Sequence, residues 1–141
     1  MQRDPTAAGQ RHAAAARASR PTAEAKAEAW ASVVDSDELP NAVQAAVIGG
    51  FAQAEQLELL PPYVERYFAA VGELWATRTT EMAQNLVNGL YPALLVTPEV
   101  VQQTDAYLGG NDVPPALARL LLEGRDGVVR AMRARARDAA S

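Results

Sequence analysis

Apolar residues in this chain recur at intervals of three and four, and nowhere do they alternate with polar ones over a useful length. The clearest case is Met82, Ala83, Leu86, Val87 and Leu90, which line one face of a helix capped by Thr79 or Thr80 and stopped by Pro92. Upstream, Tyr63, Val64, Tyr67, Phe68 and Val71 keep the same spacing and predict a helix from Pro62 to Ala70. Gly72 is expected to break it, with Leu74 and Trp75 in a further short helix. The one strand-like stretch, Leu94-Leu95-Val96, is too short and too isolated to pair. The expected fold class is all-α.

Proline, glycine and capping residues divide the remainder. Pro21 and Thr22 close an alanine-rich first helix, residues 1–21, whose stretch from Thr6 to Ala18 has little bulk to hold it down. Thr22 then caps a helix from Ala23 to Val34, with Glu24 and Glu28 near its positive end and Trp30 on the same face as Val33 or Val34. Leu39 to Ile48 reads as the third helix, with Pro40 in its first turn and Gly49-Gly50 as its terminator. Gln53 to Leu60 begins another, which Pro61-Pro62 ends. Thr97-Pro98-Glu99 starts a helix that runs to Leu108, before a Gly109-Gly110-Asn111-Asp112 loop. Pro114-Pro115 opens the last stretch, with Leu117, Leu120 and Leu121 facing inward. Gly124 and Gly127 are expected to split it, leaving Val128, Val129 and Met132 to anchor a terminal helix to about Arg137. Short turns of this kind imply antiparallel neighbours stacked in sequence, within a single helical domain of 141 residues: a loosely packed first helix and then the stack from Thr22 onward.

Composition alters this picture in one respect. Apolar residues make up 49% of the chain, but alanine dominates them, and bulky aromatics are limited to two Trp, two Phe and four Tyr. Small side chains favour helices packed at close range. No apolar run approaches the ~20 residues of a membrane span. The start, Met1 to Arg20, superficially resembles a transit peptide, but nothing in it reads as a cleavage site. It is taken as the first helix, and a soluble, cytoplasmic protein without membrane contact is expected.

The inventory for chemistry is thin. With no cysteine and one histidine, His12, neither a thiolate zinc site nor a two-histidine one can form, and a Ser-His-Asp triad would have to recruit that same residue. Acidic residues at Asp35, Asp37, Glu38, Glu55 and Glu58 suit helix starts better than acid–base work. Arg130, Arg133 and Arg137 share a helical face, flanked by Arg125 and Arg135, as a nucleic-acid footprint requires. Against that, no aromatics interleave, Asp126 and Asp138 lie close, and the net charge is −4, so a solvated face and no nucleic acid are expected. Tyr63, Tyr67, Phe68 and Trp75 read as core, with a peptide-stacking groove as the alternative because the tyrosines keep polar tips.

Four stretches, AEAKAEAWASVV, NAVQAAVIGGF, LLPPYVERYFAAVGELWATRTTEMAQNLVNGLYP and RLLLEGRDGVVRAMRARARD, together resemble the C-terminal helical domain of the aminopeptidase N family from high-GC bacteria. The resemblance runs from Thr22 to the end of the chain. It implies a terminal portion of an α-superhelix of paired helices, similar to HEAT or armadillo stacks. That portion would cover the cleft of a zinc aminopeptidase and limit which peptides reach the metal. The zinc and its H-E-x-x-H ligands would belong to the parent enzyme, so this chain is expected to bind no cofactor and to be inactive alone. Its partners would be the catalytic domain of the same chain and, indirectly, peptide substrates. Arg78 and Glu81, in ATRTTEMAQ, with Tyr67, are the residues expected to face the chamber or a peptide. A stack cut at its N-terminal side also implies a first helix that frays, swaps or self-associates in isolation. The competing reading is a free-standing helical module that binds a protein or peptide.

Overall fold

The computed structural model describes residues 5–140, with side chains from Ala7 onward, and all regular structure among them is helical. The first four residues of the Ala/Arg-rich start lie outside the described residues. Contacts gather the chain into two compact units, Met1–Leu59 and Leu60–Ser141.

The first unit holds α1 (Pro5–Ala18), α2 (Ala23–Val34), α3 (Asn41–Phe51) and a 3-10 segment, Ala54–Leu59. Helix α2 begins where its cap predicts: Thr22 Oγ1 accepts from the Ala25 N–H at 3.1 Å. The predicted stop at Gly49-Gly50 is corrected, because α3 runs through both glycines to Phe51. The reason lies in α1. A Cβ on Gly50 would stand 2.5 Å from the Ala15 carbonyl oxygen and 3.0 Å from the Ala18 Cβ. Gly50 therefore serves close approach, and α1, which lacks bulk, is held by proximity through its buried Ala14 and Ala18. Trp30 and Phe51 pack on the other side with ring centroids 5.7 Å apart. The helix expected from Gln53 to Leu60 is instead a 3-10 segment bent at Gln56 (φ −126°, ψ 32°), whose Nε2 donates to Ser19 O at 2.8 Å.

The second unit comprises α4 (Pro62–Thr77), α5 (Thr80–Leu90), α6 (Pro98–Gly110) and α7 (Pro115–Ala140). Two predicted breaks are absent. Helix α4 passes through Gly72, where a Cβ would stand 2.8 Å from the Tyr107 hydroxyl oxygen. Helix α7 runs unbroken for 26 residues through Gly124 and Gly127, and a Cβ on Gly124 would meet the Tyr91 ring at 2.8 Å. Helix α6 likewise takes in Gly109 and Gly110. No described residue has a positive φ, so these glycines are not left-handed caps. Thr79, by contrast, acts as predicted and accepts from the Met82 N–H at 3.3 Å. The core of this unit is built on Val71, Leu86, Val100, Leu117 and Leu121, all fully buried.

Candidate functional site

Among the described residues no group of histidines and carboxylates is placed to hold a metal ion, and His12 is exposed on α1. The described residues do not fit a zinc centre. No helix of the described residues is long and apolar enough to cross a membrane.

The residues expected to face a peptide divide into two kinds. Tyr67 is inside: it is 2% exposed and its hydroxyl donates to Val87 O at 2.7 Å, tying α4 to α5. Its ring meets Phe68 and Tyr91 edge-on, with centroids 5.0 and 5.7 Å away. Tyr67 is thus a packing residue whose polar tip is already satisfied. Arg78 and Glu81 flank the corner between α4 and α5. Arg78 is half-buried at the C-cap, its N–H donating to Leu74 O at 3.1 Å, and Glu81 is exposed in the first turn of α5.

Around Tyr67 the second unit is rich in buried phenols. Burial drives the pKa of Tyr67 well above its ordinary value, reinforced by Tyr91 and Tyr107, and burial also raises those of Tyr91 and Tyr107. A folded-state pKa above the unfolded 10.0 means the stability is intact below pH 10.0 and drains away as pH climbs towards the folded values. Tyr67, Tyr91 and Tyr107 all lie in the second unit. Its urea midpoint is therefore expected to hold up to about pH 10 and to fall by about pH 11, with the phenolate absorbance of Tyr67 rising in step with unfolding. Ionisation of Tyr67 ahead of unfolding would contradict this.

The sequence reading missed Lys26. This lysine is 0% exposed, and its ammonium donates to Ala18 O at 2.8 Å and Gly50 O at 3.3 Å. Those carbonyls stand at the C-terminal ends of α1 and α3, where both helix dipoles are negative. The ammonium also lies 6.0 Å from the centroid of the Phe51 ring, and among the described residues no carboxylate pairs with it. Burial lowers its pKa. A signal was available: Lys26 stands at i−3, i−4 and i−7 to Ala29, Trp30 and Val33, on the buried face of α2.

A groove of about 320 Å³ runs between α6 and α7, lined by Pro98, Val101, Gln102, Val129, Met132 and Arg133. A second depression of about 230 Å³ shares Val129 and Arg133 with it and adds Arg125, Asp126 and Arg130. Arg125 grips Asp105 of α6 with both ends of its guanidinium, at 2.6 and 3.1 Å. The last buried residue of α7 is Val128.

The chain matches the family model for the ERAP1-like C-terminal domain over residues 1–130. It is also 58% identical over 140 residues to aminopeptidase N of Streptomyces lividans, across 99% of this chain. It spans 16% of the length of that relative. An all-helical chain that matches over nearly its whole length belongs to the ERAP1-like C-terminal domain family.

Proposed function

We propose that this chain is the non-catalytic C-terminal portion of a zinc-dependent aminopeptidase, where it covers the catalytic cleft and limits which peptides reach the metal. The observation that carries this reading is the 58% identity along essentially the whole chain to 16% of the length of a protein named aminopeptidase N, together with the match to the ERAP1-like C-terminal domain model. In this reading the helices belong to a HEAT- or armadillo-like superhelix, and Arg78 and Glu81 at the α4–α5 corner face the chamber. The zinc is held by the rest of the longer polypeptide, which is cytoplasmic.

Two measurements test it. With zinc and an aminoacyl chromogenic substrate, this chain alone is expected to give no hydrolysis, and reproducible turnover would overturn the non-catalytic role. In the longer enzyme, Arg78→Ala combined with Glu81→Ala is expected to change KM for a long peptide by roughly threefold to tenfold while leaving the small chromogenic substrate unaffected. Unchanged discrimination between the two substrates would remove the cleft-limiting role.

A further inference from the structure

We propose that the groove between α6 and α7, with its arginine rim, seats an acidic amphipathic helix supplied by the rest of the aminopeptidase polypeptide. The source of that helix rests on the function proposed above; the chemistry of the seat does not. Beyond Val128 no residue of α7 is buried as far as Ala140, so the last three turns keep helical form without a core beneath them. A helix of about a dozen residues is marginal in water unless an apolar face is covered. Such a face is present: Val129 and Met132 of α7 meet Val101 of α6 across the groove, each partly open to solvent.

Charge specifies what covers it. Helix α7 carries six arginines against three acidic residues in a chain whose net charge is −4, so positive charge is concentrated on this element. Arg125 is committed to Asp105, whereas Arg130 and Arg133 are exposed and have no carboxylate partner among the described residues. An apolar floor containing Met with arginines at its edge has the composition of a protein interface. An amphipathic helix lays its apolar residues into such a groove at i, i+3, i+4 and i+7, and flanking carboxylates would meet the two arginines. Nucleic acid would use the arginines and have no use for the floor. A second α7 would set arginine against arginine.

The chain contains no cysteine, so Met132→Cys places a single thiol in the groove. Its reaction with a maleimide is expected to be at least tenfold slower in the longer enzyme than in this chain alone. Equal reactivity in an enzyme that remains folded and active would overturn the assignment of this groove while leaving the proposed function standing.

The seat itself is probed on this chain with a synthetic helical peptide bearing leucines at i, i+3, i+4 and i+7 and glutamates on both flanks. Binding is expected to weaken at least tenfold with Arg130→Glu and Arg133→Glu together, with Met132→Ser, and when the leucine positions are scrambled at constant composition. Equal binding of the scrambled peptide would overturn the proposal. So would tighter retention of single-stranded polyuridylate that Met132→Ser does not change, which would assign the arginines to nucleic acid.

Discussion

Gly50→Ala is expected to destabilise the first unit by about 3 kcal/mol, while Gly49→Ala, one residue earlier in the same helix, stabilises it by about 0.5–1 kcal/mol. In an exposed helix interior alanine is favoured over glycine because it loses less backbone entropy on folding. Gly49 has nothing within 4 Å of an added Cβ, so it collects that benefit. At Gly50 the added carbon meets a backbone oxygen, Ala15 O at 2.5 Å, and the Ser19 hydroxyl at 2.9 Å. A backbone atom cannot rotate away, so α1 and α3 must separate, and separation opens the alanine contacts that have no bulk to spare. Thermal or urea denaturation of the two variants, followed through Trp30, decides the matter. A stabilised Gly50→Ala protein would show that α1 does not lie against α3 as described.

The second large effect is expected at Lys26. Lys26→Ala removes a buried stem and both donors to Ala18 O and Gly50 O, at a cost of about 3–4 kcal/mol. Lys26→Met keeps the volume and spares the burial of an unneutralised ammonium, so its cost is expected to be only about 1 kcal/mol. If methionine proved as damaging as alanine, the hydrogen bonds rather than the packing would carry the site.

The pH dependence of this residue runs opposite to that of the phenols. A lysine whose folded pKa lies below the unfolded 10.5 penalises the fold while it is charged. That penalty is relieved as pH rises from the folded value towards 10.5. Alkali therefore favours the Lys26 cluster over the same range in which tyrosine ionisation weakens the second unit, and Lys26→Met abolishes the first effect alone.

Helix starts were legible because their signals are local. Thr22 and Thr79 accept from amides three residues on, and Pro98 stands at the head of α6, so each start is written within four residues of sequence. Thr97 shows the limit, since it holds the cap position without making the side-chain bond. Glycine was misread because its local signal is ambiguous. A glycine that ends a helix and a glycine that admits a neighbour look alike, and what separates them is Ala15 for Gly50, Tyr107 for Gly72 and Tyr91 for Gly124, each 33 or more residues away. Lys26 failed for a related reason: a lysine among alanines and glutamates reads as solvated until the ends of α1 and α3 are brought to it. At the candidate site, Tyr67 looked available because its hydroxyl is polar, and only the fold reveals that Val87 O accepts that proton.

The coreless end of α7 also makes the groove self-reporting. A helical turn with nothing buried beneath it opens by local fraying, and fraying is what a protease needs to reach the peptide bond. Trypsin should therefore cut after Arg130, Arg133, Arg135 and Arg137 while the rest of the chain, anchored up to Val128, resists. A cut at Arg130 carries off Met132 and Arg133, two of the six residues that line the groove. Digestion would shorten the free chain by four to eleven residues and spare it wherever that face is occupied, so that a small difference in mass records whether the arm has found its place.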